Sequence, residues 1–282
     1  MISDIFTLQN MATQVRRDII RMVSGANSGH PGGSLGCADL MTALFFNALK
    51  QTPENWRSDG KEQDMFFLSN GHISPVYYSV LARAGYFDIK QLETFRQLGS
   101  SLQGHPSPEW KVAGIHVASG SLGQGLSVAC GAALAKRMNN DNHLVYVLMG
   151  DGESEEGQIW EGAMFASARK IDNLIAVVDW NGQQIDGPIE KVLDLGDLDA
   201  KWRAFGWETI SMNGNDMADV VRVLALAKTM TGKGKPVMIL MKTEMGFGVD
   251  FMQGTHEWHG KAPNAEQTAK ALAQLPETVG DY

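Results

Sequence analysis

The chain has 282 residues, 44% of them hydrophobic, enough to bury a large core and within the range of one big domain or two small ones. A formal net charge of -8 and a pI near 5.4 exclude the basic face with which a nucleic-acid binder neutralises phosphates. The first fourteen residues mix Asp4, Thr7, Gln9 and Asn10 among apolar ones, unlike a signal peptide, and no run is long and apolar enough to span a bilayer.

Apolar residues at Leu8, Met11, Val15, Ile19 and Met22 predict an amphipathic helix over 8–23, with Arg16, Arg17 and Arg21 at polar positions. A Gly-rich turn over 24–36 follows, then a helix over 38–49. Met65-Phe66-Phe67-Leu68 reads as a short buried strand delivering the polar loop Ser69-Asn70-Gly71-His72, and a helix is expected over 76–84. Further strands are expected over 144–149, 174–178, 208–212 and 237–241, with helices over 122–137, 159–169 and 217–229. This alternation implies an α/β fold in which a mostly parallel sheet is covered by helices on both faces. No internal repeat or linker is evident, so residues 1–282 read as a single domain. Ligands of such sheets bind beyond the strand C-termini, where Gly150-Asp151-Gly152 and Trp180-Asn181-Gly182 would fall. Cys37 and Cys130 lie far apart in apolar helical stretches and read as buried free thiols, which suits a reducing, cytoplasmic setting.

Gly150-Asp151-Gly152 directly after a strand, with Asn181 after the next, would bring a carboxylate and an amide oxygen to one edge. With a main-chain carbonyl and diphosphate oxygens these make the all-oxygen shell of a hard divalent cation. Gly-Asp-Gly alone is weak, because Asp-Gly is a common turn dipeptide. Five of the seven histidines, His30, His72, His105, His256 and His259, lie in Gly/Pro-rich loops, where imidazoles converging on one edge could handle hydroxyls and phosphate oxygens. A zinc site built from His256 and His259 with Glu153, Glu155 and Glu156 competes, but the Asp151 and Asn181 pair calls for oxygen ligation instead. His116 and His143 carry no signature, and packing or surface roles are their default.

The Gly-Asp-Gly to Asn spacing is similar to the motif of thiamine diphosphate enzymes. Ser28-Gly29-His30-Pro31-Gly32, Ser69-Asn70-Gly71-His72, Gly104-His105-Pro106, Gly120-Ser121-Leu122-Gly123-Gln124-Gly125 and Thr255-His256-Glu257-Trp258-His259-Gly260 resemble transketolase signatures in transketolase order. The resemblance runs from about Leu8 to Gly260 and implies a diphosphate-binding domain, with thiamine diphosphate and Mg²⁺, Ca²⁺ or Mn²⁺ as cofactors. It implies that Asp151, Asn181 and the Gln183 carbonyl hold the metal. It also implies that His72 and His256 lie by the diphosphate, with His259 the less certain of the closing pair, while His30 and His105 meet the sugar and assist proton transfer. Gly120, Ser121, Leu122, Gly150 and Gly152 would approach the cofactor, Ser121 standing where many members carry proline. Glu156 and Glu161 resemble acids of the subunit interface, though glutamate is favourable at any helix N-terminus.

Full-length transketolases run well beyond twice this length. The resemblance therefore implies that the pyrimidine-binding and C-terminal domains reside on a separate chain, in an assembly with two copies of each. The implied activity is transfer of a two-carbon ketol unit from a ketose phosphate such as xylulose 5-phosphate to an aldose phosphate such as ribose 5-phosphate. Three alternatives remain: a relative of deoxyxylulose phosphate synthase or of a two-subunit 2-oxo acid dehydrogenase, a transketolase for an unusual or sulfonated sugar, and a non-catalytic cofactor-binding subunit.

Overall fold

The computed structural model describes all of residues 1–282. Its strands are β1 (Met65–Leu68), β2 (Val145–Gly150), β3 (Leu174–Trp180), the two-residue hairpin strands β4 (Gln183–Gln184) and β5 (Gly187–Pro188), β6 (Glu208–Asn213) and β7 (Val237–Lys242). Five of them form one wholly parallel sheet in the order β1-β2-β3-β7-β6, and β4 and β5 pair by themselves. The α/β fold expected from the sequence is the observed one.

The helices are α1 (Ile5–Gly25), α2 (Pro31–Gly36), α3 (Ala38–Ala43) with a π-helical turn at Leu44–Ala48, α4 (Ser74–Arg83), α5 (Gly125–Met138), α6 (Gly157–Ala168), α7 (Ile189–Val192), α8 (Leu198–Ala204), α9 (Met217–Met230) and α10 (Ala265–Gln274). Successive strand residues point to opposite faces, so each central strand feeds two cores. Tyr146, Leu148, Ile175, Val177, Val237 and Ile239 enter the larger core with α1, α3, α4 and α9. Val145, Val147, Leu174, Ala176, Met238 and Leu240 enter the smaller one with α5, α6 and α8. Burial on both faces explains why these strands read as continuous apolar runs rather than as alternation.

Three local readings change. The 8–23 helix is longer, running over Ile5–Gly25 behind Asp4, whose carboxylate caps the Thr7 N–H at 2.8 Å. Its Arg16 and Arg17 are buried rather than solvated: Arg16 pairs with Asp39, and Arg17 with Asp281 at 2.6 Å. The stretch read as a turn over 24–36 coils into α2 from Pro31, a residue suited to a first helical turn because its missing N–H has no partner there anyway. The helix expected from Leu122 begins at Gly125, leaving 120–124 as a loop over the sheet edge.

Because all five strands run the same way, their C-termini share that edge. β1 leads into Ser69-Asn70, β2 ends at Gly150 and leads into Asp151, and β3 leads into Asn181. The cavity lies there.

Candidate functional site

A cavity of about 270 Å³ opens at the C-terminal edge and is lined by the ends of β1, β2 and β3, the first turn of α2, the 120–122 loop and the β4 hairpin. Its floor is acidic. Asp151, Glu153 and Asp179 are each about 2% exposed or less, and all three carboxyls lie above their usual range. Burial and the neighbouring Asp179 charge push Asp151 up to about 8, although the N–H groups of Gly182 (2.6 Å) and Gly152 (2.9 Å) donate to its two oxygens. Burial likewise raises Asp179, which accepts from Thr243 Oγ1 and from Asn181 Nδ2 at 2.8 Å. Asn181 Oδ1 accepts from the Gln183 N–H at 2.9 Å, so a local turn fixes the amide orientation.

Glu153 serves a different purpose. One carboxylate oxygen accepts from Ser69 Oγ and from the Gly123 N–H at 2.9 Å, the other from the Gly150 N–H at 3.1 Å. Ser69 Oγ in turn accepts from the Gly125 N–H at 3.0 Å. A single buried acid therefore fastens the ends of β1 and β2 to the 120–125 loop. From sequence, Glu153 reads only as a spare carboxylate for zinc. That zinc set does not come together: nowhere do three His, Cys, Asp or Glu side chains group closely enough to hold an ion.

The opposite wall is imidazole. The rings of His30, His72 and His259 stand 5.0 to 5.6 Å apart, centroid to centroid. Burial first, then mutual repulsion, pushes His30 down to about 4 and holds His72 well below its ordinary value. Burial also lowers His259 and His105. Nδ1 of His30 and of His259 is buried without a partner, as are Asn70 Oδ1 and Gln183 Oε1, whose residues also line the cavity.

Of the residues singled out from sequence, His30, His72, Gly120, Leu122, Gly150, Asp151, Gly152, Asn181, Gln183 and Glu156 line this cavity. His105 stands against this lining, its ring so close to Gly120 that a Cβ there would come 2.6 Å from His105 Cδ2, at a φ of 118° that only glycine tolerates. Ser121 is exposed and Glu161 lies on the solvent face of α6. Of the closing pair, His259 faces the other rings, whereas His256 is not among the lining residues. The physical reason is the short 3-10 turn Gly-Thr-His-Glu-Trp-His makes, which buries Trp258 as an anchor and leaves the two histidines three residues apart with different surroundings.

Missed from the sequence were Asp179, Met245 and the roles of Asn70 and Glu153. A carboxylate closing the apolar run 174–178 was the available signal for Asp179. Glu153, two residues past Asp151, had no signal separating it from an ordinary helix-start glutamate.

The donor set fits a hard cation. An acidic floor alone would repel a diphosphate, and each oxygen of Asp151 and Asn181 Oδ1 uses one lone pair on a backbone N–H while keeping another. A divalent ion bound there would relieve the burial that holds Asp151 near 8 and turn the floor attractive to phosphate.

A family model described as transketolase, thiamine diphosphate binding domain, matches residues 7–277. The chain is 38% identical, over 97% of its length, to an apulose-4-phosphate transketolase subunit of Phocaeicola vulgatus, covering 95% of that protein. It is 40% identical, over 95% of its length, to the 6-deoxy-6-sulfo-D-fructose transketolase subunit SqwG of Clostridium sp., covering 96% of it. Transketolase of Homo sapiens is 36% identical over 95% of the chain, which spans only 41% of that protein. Among solved structures, transketolase from Leishmania mexicana superposes with a TM-score of 0.87 at 31% identity, over 100% of this chain and 43% of that one. Transketolase from Campylobacter jejuni does so with 0.88 at 33% identity, over 96% and 43%. With the motifs gathered at one sheet edge and the match running nearly end to end, the chain belongs to the transketolase family, as a thiamine diphosphate-binding subunit.

Proposed function

We propose that the chain is the metal, diphosphate and sugar-histidine half of a split transketolase, completed by a separate subunit carrying the pyrimidine-binding domain. The observation that carries this reading is the pairing of an acidic, cation-seeking floor with a wall of neutral imidazoles in one cavity. In the assembly Asp151, Asn181 and Gln183 would hold Mg²⁺ or a similar hard ion, and His72 and His259 would border the diphosphate. Residues 1–282 then act as one domain in a complex with two copies of each chain. Two buried free thiols suit a reducing, cytoplasmic setting.

Bound thiamine diphosphate supplies the carbanion and electron-sink chemistry that breaks the bond beside a ketose carbonyl. The chain's own residues bind, orient and move protons. His30, neutral at pH 7, would take a proton from a sugar hydroxyl or return one to the departing aldose. His105, whose ring lies against Gly120 of the cavity lining, would do the same for a second hydroxyl. Glu153 keeps the 120–125 loop against the floor, so the approach of backbone to cofactor is set before binding. Exposed Glu156 and Glu161 are available to an adjoining subunit.

The sugar is a finer matter. Two relatives that match nearly end to end are named for apulose 4-phosphate and for 6-deoxy-6-sulfo-D-fructose, which favours a second reading in which the donor is not a common pentose phosphate. The test combines the chain, its partner subunit, thiamine diphosphate and Mg²⁺ and follows two-carbon transfer to an aldose acceptor. The donors are xylulose 5-phosphate, apulose 4-phosphate and 6-deoxy-6-sulfo-D-fructose. Transfer from any donor supports a split transketolase and the preferred donor names it. Cofactor binding without transfer from any of them would overturn the proposed activity.

A further inference from the structure

His30 and His105 stand on different loops, one between α1 and α2, the other in the long segment before α5. One side chain touches both. Arg96 donates from Nη1 to Ser28 Oγ at 2.7 Å, two residues before His30. Its guanidinium also rests on the backbone next to His105, since a Cβ at Gly104 would come 2.8 to 2.9 Å from Nε, Cζ and Nη2.

The surroundings hold Arg96 in an uncommon state. Its backbone is left-handed, with φ of 58°, and its N–H donates to the Leu102 carbonyl at 2.8 Å. Non-glycine residues in that region are kept there only where their neighbours determine them. The segment it pairs with is in turn tied to α4: Tyr78 Oη donates to the Gln103 carbonyl at 2.9 Å and Ser74 Oγ to the Gly104 carbonyl at 2.8 Å. None of the ion pairs in the molecule includes Arg96, and its Nε is buried without a partner. By contrast Arg16, Arg17 and Arg21 on α1 and Arg83 on α4 each face a carboxylate.

We propose that Arg96 is a positioning residue. It clamps the His30 loop to the His105 loop and sets a positive charge beside both imidazoles, which adds to burial in disfavouring the imidazolium of each. The proposal rests on the reading of His30 and His105 as proton-transfer groups. The groups acting on His30 are His259, Arg96 and His105, with the His72 ring alongside, and Arg96 acts on His105; the carboxylates of Asp151, Glu153 and Asp179 stand across the cavity. Burial is the largest cause of the depressed basicity of both rings, and the Arg96 charge adds to it. An imidazolium could not take a hydroxyl proton, so the guanidinium favours the working form.

The test separates charge from clamp and the clamp from the wider function. Histidine Cε1–Hε1 resonances of the full chain are titrated by NMR in wild type, Arg96→Lys and Arg96→Gln, with His30→Asn and His105→Asn giving the assignments. Arg96→Gln should raise the pKa of His30 and of His105 while His116, whose charged neighbours are Lys136 and Asp59, holds its value. Arg96→Lys, which keeps the charge but not the two-loop span, should leave the pKa values close to wild type. In the assembled complex Arg96→Gln should move the acid limb of kcat/KM to higher pH. Arg96→Lys should restore that limb yet keep a raised KM. Unchanged pKa values in a folded Arg96→Gln chain, or an equal rise in His116, would overturn the proposal. A complex that transfers no ketol unit would sink the activity instead, and the NMR titration of the chain would still decide the role of Arg96.

Discussion

The floor and the wall of the cavity are built by opposite strategies. The floor carboxylates already have their hydrogen bonds: Asp151 takes two backbone N–H groups, Glu153 three donors and Asp179 two, so their positions are set before any ligand arrives. What they lack is charge compensation. The wall imidazoles lack partners instead, with Nδ1 of His30 and His259 unbonded, and burial keeps them uncharged. Buried groups left short of charge or of partners destabilise a fold, so an edge carrying both is suited to a ligand with a metal at one end and hydroxyls at the other.

Breaking the floor should have the largest effect. Asp151→Ala should weaken Mg²⁺-dependent binding of thiamine diphosphate by more than about 100-fold, since a ligating oxygen outranks the outer partners whose loss costs roughly 10–100-fold; calorimetry measures it. Unaltered affinity would show that the metal lies elsewhere. On the wall, His259→Asn should lower kcat in the assembled enzyme by about 10²-fold and His256→Asn by only a few-fold. The reverse order would restore the ranking first read from sequence.

Glu153→Gln places an amide N–H₂ against a donor, Gly150 or Gly123. It should destabilise the chain by about 1–3 kcal/mol in urea unfolding and loosen cofactor binding with it. Stability loss without weaker binding would make Glu153 purely structural.

The two halves also titrate in opposite senses in the metal-free chain. The unfolded chain binds protons at imidazoles of ordinary pKa 6.5, whereas folded His30 refuses them until about 4. Its contribution is whole above pH 6.5 and is lost as pH falls toward 4. Asp151 runs the other way: unfolded it ionises near 3.8 and folded near 8, so its ionisation costs stability as pH rises across that window. Melting temperatures read as differences from variants separate them. Wild type should gain on His30→Asn by roughly 2–5 °C from about pH 5 to 7. Over the same range Asp151→Asn should gain on wild type, and Mg²⁺ should cancel that gain. Parallel curves would mean that these groups are solvated. The smallest effect expected is Glu161→Gln, within about 0.5 kcal/mol in the isolated chain because its side chain is exposed.

Much of the fold was legible because parallel strands buried on both faces need continuous apolar runs, and those at 144–149, 174–178 and 237–241 lie within a residue or two of β2, β3 and β7. The 208–212 strand was legible despite lying at the sheet edge, where Glu208 and Ser211 interrupt the pattern. The buried state of Arg16 and Arg17 was not, since helical spacing counts charge as polar and cannot foresee Asp39 or Asp281 across the core. The same blindness hid Arg96, whose significance depends on two loops, 68 and 8 residues away from it in sequence, that only packing brings to its side.

The sequence by itself determined the chemistry available at the edge: a carboxylate and an amide after adjacent strands, glycines where backbone must approach closely, and histidines gathered in loops. Those follow from residue type and local spacing, which short-range sterics and hydrogen bonding control. Tertiary structure alone decided which histidine of the closing pair turns inward, which acid fastens the loop rather than standing beside Asp151 and Asn181, and which arginine spans the two histidine loops without a counter-ion. Each of those depends on desolvation and on neighbours far apart in the chain, and burial, not identity, sets the charge a side chain carries.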